Sequence, residues 1–326
     1  MNTLEKLEKY KKAVNSELEK LVPDIEPKEL YELMDYHIFA GGKRVRPALC
    51  LLACEAVSGS YKKALPIAAS LEMVHAFSLV HDDVMDRDEL RRGKPTLWKK
   101  YGEGLAINAG DGIFTKTYES ALNLKGVENK EEILKILTKT IMEVCEGQAF
   151  DVSFEKKKNI SLDDYIKMAT LKTASLIRAS AKIGAMCGSG SSEEIDALEN
   201  YGEKVGLSFQ IWDDYIDFAS EKTGKTFGSD IKKGKKTSIV CHALENADEE
   251  DKKRLKELLE KAVEETDKNL IEEAVSILEK TGSIDYAKNY AFKLVNDAKT
   301  GLDVLEDSKA KEILLEFADF LVSRKD

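Results

Sequence analysis

Two groups of aspartates with the same spacing are the residues of this chain best suited to chemistry. They occupy residues 82–86 and 213–217, and both groups read D-D-x-x-D. On a helix, positions i, i+1 and i+4 lie at about 0°, 100° and 40° around the axis. The three carboxylates of each group therefore crowd onto one side of their helix.

Carboxylates crowded in this way need a counter-charge. Like charges at this separation repel and raise each other's pKa, and an apolar setting adds a cost on the order of several kcal/mol per unpaired ion. Because no Cys or His cluster lies nearby, Mg²⁺, with Mn²⁺ as an alternative, fits better than zinc. Mg²⁺ usually completes its shell with phosphate oxygens, so two such groups could clamp one diphosphate. The alternative without chemistry is a pair of solvated acidic helix ends.

The elements that must position these carboxylates are helices. Segments 67–85 and 205–218 lead into the two groups and are apolar nearly all round, as is typical of helices in the centre of a bundle. Helical periodicity runs through almost the whole chain, with only 5 Pro and no convincing strand pattern. We predict an all-α fold, one domain over residues 1–326. The predicted helices are 3–21, 27–38, 46–58, 62–86, 104–124, 130–152, 162–187, 192–218, 235–245, 249–262, 267–280, 283–302 and 307–323.

Bulk composition limits the partners of the protein. The formal net charge is −10, and the 50 Lys and Arg residues form no single large block, which argues against nucleic acid as the main partner. The 5 cysteines and the lack of a signal peptide indicate reduced cytosolic thiols. Cys50 and Cys54 are interpreted as small buried apolar residues rather than soft-metal ligands. Since the longest apolar runs look too short to span a bilayer, we expect a cytoplasmic protein without stable membrane insertion.

Several further motifs occur in a fixed order along the chain. They are Gly41-Gly42-Lys43-Arg44-Val45-Arg46-Pro47, Arg91-Arg92-Gly93, Lys172-Thr173, Gln210, Gly224-Lys225, Gly228-Ser229-Asp230 and Lys235. Together with the aspartates, they make residues 41–244 resemble the short-chain trans-prenyltransferases, the farnesyl- and geranylgeranyl-diphosphate synthases, and archaeal members in particular. This resemblance implies a helical bundle of the isoprenoid synthase type. It also implies a homodimer, for which the apolar stretch 104–123 is a candidate surface.

The resemblance implies a role for each matching residue. The implied ligands of about two to three Mg²⁺ ions are Asp82, Asp86 and Asp213, with Asp83, Asp214 and Asp217 as weaker or outer ligands. The implied contacts of the allylic diphosphate are Arg91, Lys172, Thr173, Gln210, Lys225 and Lys235. Those of isopentenyl diphosphate, bound without metal, are Lys43, Arg46, His75 and Arg92; the planar fork of Arg suits phosphate oxygens. Without the resemblance, His75 would be read as an ordinary core histidine.

The implied reaction joins isopentenyl diphosphate to allylic diphosphates of C5 to C15. The allylic C–O bond ionises, the double bond of isopentenyl diphosphate attacks the cation, and a proton leaves. Phe77 lies about 7 Å before Asp82 along the helix and is implied to form the floor that limits product length, which the small Ser78 does not narrow. The pattern favours geranylgeranyl diphosphate (C20), with farnesyl diphosphate (C15) as the alternative.

Three other functions fit the sequence less well. A class I terpene cyclase usually carries an Asn/Asp–Ser/Thr–Glu pattern as its second metal motif. A phosphate-binding P-loop requires four residues between its glycines, whereas five lie between Gly228 and Gly234 and no strand precedes them. A catalytically inactive regulatory subunit typically lacks one aspartate group, and both are intact here.

Overall fold

The structure, a computed structural model, describes residues 3–157, 159–219 and 228–323 and is built almost entirely of helices. They are α1 (Thr3–Leu21), α2 (Lys28–Ile38), α3 (Val45–Ser58), α4 (Leu65–Met85), α5 (Leu97–Tyr101), α6 (Glu103–Leu122), α7 (Lys130–Lys156), α8 (Leu162–Ala169), α9 (Ser175–Cys187), α10 (Ser192–Ala219), α11 (Ser229–Lys232), α12 (Ser238–Asn246), α13 (Glu249–Leu259), α14 (Lys268–Lys280), α15 (Ser283–Thr300) and α16 (Lys309–Leu321). In the described ranges, the only strands are β1 (Leu90–Arg91) and β2 (Lys94–Pro95), an antiparallel hairpin. The all-α prediction is confirmed.

The predicted helices differ from the observed ones by a few residues at several ends and, more substantially, in three places. The hairpin and α5 fill a segment with no predicted structure, and Thr96 Oγ1 and Trp98 Nε1 close it by donating to the Asp88 carbonyl at 2.8 Å each. The predicted helix 162–187 is interrupted by a π-helical turn at Thr170–Ala174. The predicted helix 235–245 begins only at residue 238, because Thr237 takes an extended conformation and caps the helix with its hydroxyl.

The described chain divides into two compact units. Unit 1 comprises residues 1–141, 176–199 and 302–316, and unit 2 comprises residues 142–175, 200–301 and 317–326. The first aspartate group therefore belongs to unit 1 and the second to unit 2. One domain over residues 1–326 stays a prediction.

Helix α4 is the core of unit 1. Its residues are buried on every side from Ile67 to Val74, which explains why the sequence shows no polar stripe there. Contrary to the expectation from its apolar runs, the segment Lys62–Met85 is long and apolar enough to cross a membrane by length and composition. Since 67% of that apolar window is buried inside the protein, it is accounted for as a core helix.

Helices α4 and α6 are joined by side-chain hydrogen bonds to main-chain carbonyls. Ser70 Oγ donates to the Thr117 carbonyl at 2.8 Å, and Ser120 Oγ donates to the Pro66 carbonyl at 2.6 Å. These bonds satisfy hydroxyls that are otherwise enclosed by apolar side chains. The first part of α4, at the end opposite the aspartates, is thus held against α6.

Unit 2 positions the second aspartate group and the π-helical turn. Ser208 Oγ of α10 donates to the Ala291 carbonyl of α15 at 3.1 Å. Gly147 of α7 lies directly against the turn, because a Cβ built at this glycine would be 2.2 Å from the Lys172 backbone nitrogen. Only a glycine allows so close an approach, and it brings Lys172 beside α7.

Candidate active site

The first aspartate group divides into one buried and two accessible carboxylates. Asp83 is 2% exposed, and it accepts hydrogen bonds from Arg91 Nε and Nη2 at 2.6 Å each. Burial raises the pKa of Asp83 to about 6, and the Arg91 charge opposes this rise. Asp82 is half-buried and Asp86 is exposed at the end of α4. The neighbouring aspartates thus have different tasks: Asp83 holds Arg91, whereas Asp82 and Asp86 present their carboxylates to the surface.

A cluster of cations follows the first aspartate group. Arg91, Arg92 and Lys94 of the hairpin line a cavity together with His37 and Asp83. Arg92, in the left-handed conformation (φ 54°), donates to the Gly41 carbonyl. Gly42 has φ 134°, a conformation that other residues rarely adopt, and a Cβ there would be 3.0 Å from Arg92 Nη1.

Two histidines lie among these cations and are held neutral. Burial, with the charges of Arg91 and Arg92 acting in the same direction, lowers the pKa of His37 to about 4. Burial also lowers the pKa of His75 well below its usual range, with Arg46 and Arg92 acting in the same direction. A neutral His75 can accept from Arg46, whose Nη1 lies 3.3 Å from His75 Nε2. A cluster of guanidinium groups of this kind is typical of a binding site for a polyanionic ligand.

The residues predicted to limit product length lie on α4 below the aspartates. Phe77 is 6% exposed, and its ring meets that of Phe114 on α6 edge to face, with centroids 5.1 Å apart. Tyr118 continues this row, its ring centroid 5.6 Å from that of Phe114. Ser78 turns its hydroxyl to the His75 carbonyl at 2.9 Å. The predicted floor is therefore one member of a pair of rings contributed by two helices.

The π-helical turn carries two of the predicted site residues, Lys172 and Thr173, and Thr173 contacts a third, Gln210 of α10. Lys172 Nζ is 2.5 Å from Asp151 Oδ2, and Thr173 Oγ1 donates to Gln210 Oε1 at 2.8 Å. The turn inserts a residue into the helix and so displaces these side chains from the regular helical pattern. Thr173 in this way fixes the direction of the Gln210 amide.

The second aspartate group also divides. Asp214 is 4% exposed and accepts from Ser238 N at 2.9 Å and Ser238 Oγ at 2.7 Å. Burial raises the pKa of Asp214 to about 7, against the lowering effect of the hydroxyls of Tyr165 and Ser238. Asp217 is 7% exposed and accepts from Ser229 Oγ at 2.7 Å and from Asp230 N at 3.0 Å. Asp214 and Asp217 therefore hold the starts of α12 and α11, while Asp213 is half-buried.

The remaining predicted residues lie in loops. Lys43 precedes α3 and is exposed, as is Lys235, whose backbone N–H donates to the Asp230 carbonyl at 2.9 Å. Lys225 and Gly224 lie outside the described residues. The neighbouring Lys236 instead donates to the Phe154 carbonyl at 2.8 Å, so the two adjacent lysines differ in role.

Sequence reasoning missed several polar residues of these clusters. His37 lines the cationic cavity, and Asp151 pairs with Lys172. Gln148 is 9% exposed, and both its amide oxygen and its amide nitrogen are buried without a hydrogen-bond partner. The signal for Gln148 and Asp151 was available, since polar residues three apart follow Gly147 on one face of a helix otherwise rich in apolar residues.

Comparison with known proteins decides the family. The family described as Polyprenyl synthetase matches residues 27–278. The chain belongs to the polyprenyl synthetase family. It is 42% identical to the short chain isoprenyl diphosphate synthase of Methanothermobacter thermautotrophicus over 327 residues, which cover 100% of this chain and 99% of the relative.

Solved structures of polyprenyl synthetases agree with this assignment. The geranylgeranyl pyrophosphate synthetase of Pyrococcus horikoshii superimposes with a TM-score of 0.95 at 42% identity, covering 99% of this chain and 98% of that one. The polyprenyl synthase of Caulobacter crescentus, complexed with calcium and isoprenyl diphosphate, gives 0.83 at 26% identity, covering 99% and 98%. The chain is therefore a trans-prenyltransferase of a metal-dependent family that acts on isoprenyl diphosphates, and the predicted family and archaeal likeness are confirmed.

The aspartates of this polyprenyl synthetase fit metal ions that are shared with a ligand. In the described ranges, no three His, Cys, Asp or Glu side chains form a ready-made metal cage. Asp82, Asp86 and Asp213 are nevertheless oxygen donors that reach the surface, as hard divalent cations prefer. Such a donor set suits an ion that takes one or two carboxylates from the protein and the rest of its shell from phosphates and water.

Proposed function

We propose that this polyprenyl synthetase condenses isopentenyl diphosphate with allylic diphosphates of C5 to C15 and releases mainly geranylgeranyl diphosphate (C20). The observation that supports this most directly is the side-chain cluster of unit 1, where Arg91, Arg92 and Lys94 lie with a neutral histidine beside the first aspartate group. Cations beside carboxylates suit two diphosphate substrates. One diphosphate would be bound directly by cationic side chains, and the other through metal ions held by the carboxylates. Farnesyl diphosphate is the expected minor product.

Isopentenyl diphosphate is assigned to Lys43, Arg46, His75 and Arg92. The contact between Arg46 and the neutral His75 orients the guanidinium without cancelling its charge. Arg92 lies over the glycine loop, so its charge is close to the main chain that carries Lys43. These side chains bind and orient the diphosphate through charge-assisted hydrogen bonds.

The allylic diphosphate is assigned to Arg91, Lys172, Lys225 and Lys235, and its ionisation is assisted by Thr173 and Gln210. Asp83 keeps Arg91 at the end of α4, and Asp151 keeps the Lys172 side chain against α7. Thr173 points the Gln210 oxygen, a dipole that can face a developing cation. Apolar helices are proposed to exclude water, which would otherwise capture the cation.

Mg²⁺ is the proposed metal, about two to three ions per site, held by Asp82, Asp86 and Asp213 with Asp83, Asp214 and Asp217 as outer ligands. When bound, it supplies Lewis-acid stabilisation of charge on the departing diphosphate. Asp214 and Asp217 contribute through the bonds that fix α12 and α11. In the described structure no protein base is assigned to the final proton, and the released diphosphate is the proposed acceptor.

The reaction is tested by incubating the purified protein with Mg²⁺, labelled isopentenyl diphosphate and each allylic primer in turn. We expect a C20 product after dephosphorylation, together with loss of product on addition of EDTA and its return on addition of excess Mg²⁺. Folded protein that extends no primer would contradict the proposal. It would favour an inactive subunit that regulates a partner.

A homodimer is the proposed assembly. Four apolar residues lie at helical spacing on the exposed side of α7: Met142, Cys145, Ala149 and Val152. Met142 is 59% exposed and Val152 is 37% exposed, which is unusual for apolar residues on one helix face. On α6, the predicted surface, Leu105 and Ile107 are also 40% exposed each. A second copy of the chain would remove these side chains from water.

Substituting Met142→Glu is expected to convert the protein from dimer to monomer at micromolar concentration, because a charge would be buried at the interface. Sedimentation velocity provides the measurement, and Lys253→Glu on an exposed position of α13 is the control that should stay dimeric. A wild-type protein that sediments as a monomer, or a Met142→Glu protein that stays dimeric, would contradict this surface.

A further inference from the structure

Arg44 is a buried residue of the glycine loop to which the resemblance assigned no role. Its residue is 5% exposed, and it immediately precedes α3 with φ 50° and ψ 40°. A non-glycine residue adopts this left-handed conformation at a cost in free energy, so the surrounding structure must hold it there.

The Arg44 guanidinium joins three helices to the start of α3. Its Nε donates to Asn15 Oδ1 of α1 at 3.0 Å, and its Nη2 donates at 2.5 Å to the carbonyl of Ile38, the last residue of α2. Its Nη1 donates to Glu72 Oε1 of α4 at 2.5 Å. Glu72 is 3% exposed, so the two partners form a buried ion pair in unit 1.

Folding stability does not account for this pair. The attraction within a buried ion pair roughly offsets the desolvation of its charges, and apolar residues of similar size often replace such pairs at no loss of stability. Buried charged or polar pairs are instead best attested where they fix the register between helices.

For this pair, the register is the alignment of α3, which carries Arg46, with α4, which carries His75. Two residues after Arg44, Arg46 meets His75, and His75 lies three residues after Glu72 on the same face of α4. The pair Arg44–Glu72 and the contact Arg46–His75 are therefore neighbouring contacts that align the start of α3 with α4. Lys43, immediately before Arg44, is carried by the same fixed backbone.

We propose that Arg44 and Glu72 are positioning residues whose buried pair aligns Lys43 and Arg46 for the diphosphate of isopentenyl diphosphate. This inference rests on the proposed function and adds two residues that do not touch the substrate. An unaligned loop would still carry the same positive charge. However, the long flexible side chains of Lys43 and Arg46 would then lose conformational freedom each time isopentenyl diphosphate binds. The affinity for isopentenyl diphosphate would fall by this entropic cost.

The test removes both charges together, because removal of one alone would leave the other buried and unpaired. The double variant Arg44→Met/Glu72→Met is expected to stay folded at the assay temperature, although Asn15 Oδ1 and the Ile38 carbonyl also lose their donor. Its KM for isopentenyl diphosphate should rise about tenfold, while its KM for the allylic diphosphate should change less than twofold. The matched control is Lys6→Met/Glu316→Met, which removes another ion pair of unit 1 (2.6 Å) and should change neither KM.

Titration calorimetry with isopentenyl diphosphate separates this inference from the proposed function. A wild-type protein that binds isopentenyl diphosphate but extends no primer contradicts the proposed function. The positioning role is then tested by comparing the affinity of wild type and the double variant for isopentenyl diphosphate. A folded double variant with unchanged affinity for isopentenyl diphosphate overturns the positioning role. So does one in which the affinities for both substrates fall together, since that would be a general loosening of the protein.

Discussion

The variant Asp82→Ala is expected to lower kcat about 1000-fold, the upper part of the range seen when one preorganised group that stabilises transition-state charge is removed. Its thermal unfolding without metal should match or exceed that of wild type. Asp82 is half-buried at the end of α4, beside two other carboxylates, so its removal relieves repulsion. Steady-state kinetics and thermal unfolding of the same preparation provide the measurements.

The neighbour of Asp82 should behave differently. Asp83→Ala removes the partner of Arg91 in a buried pair and should therefore lower the free energy of unfolding by about 1–3 kcal/mol in addition to lowering activity. Asp303→Ala, on an exposed turn, is the control that should change neither quantity. Equal losses of stability in the Asp82 and Asp83 variants would contradict the division of tasks within the group.

The two D-D-x-x-D groups show what spacing can and cannot predict. Their helical periodicity correctly predicted that each group lies at the end of an apolar helix. The apolar residues that precede each group in α4 and α10 indicate a buried helix. The spacing alone could not predict that Asp83, Asp214 and Asp217 are buried against Arg91, Ser238 and Ser229. Those partners lie 8 to 24 residues away, so the pairing depends on how loops return to the helix ends.

The same limit applies to groups that act through contacts between helices. The glycine loop was recognised from its motif, yet the buried partners of Arg44 lie on α1, α2 and α4, at distances in sequence that no periodicity records. The π-helical turn at Lys172 was predicted as continuous helix, because an inserted residue leaves the apolar pattern nearly unchanged. No sequence pattern indicated that Phe114 contacts Phe77, because this contact depends on the antiparallel packing of α6 on α4.

The contact between Phe77 and Phe114 predicts how product length responds to mutation. Phe77→Ala removes one ring of the pair, and the main product should lengthen beyond C20 while part of it stays C20, because the Phe114 ring remains in place. Phe77→Ala/Phe114→Ala removes both rings and should lengthen the product further. The next ring, Tyr118, is four residues or about 6 Å farther along α6, away from Asp82. Chromatography of dephosphorylated products distinguishes these lengths.

A cavity control separates a floor from general core damage. Phe→Ala in a core costs about 3–5 kcal/mol, so Phe77→Ala should lower stability as well as change the product. Phe317→Ala, at a residue 2% exposed in α16, should cost a similar amount of stability and leave the product at C20. A product profile of Phe77→Ala that is unchanged from wild type, or longer products from Phe317→Ala, would contradict the floor. Lengthening by Phe114→Ala alone would place the limit in the contact between α4 and α6, because Phe114 is not on the aspartate-bearing helix.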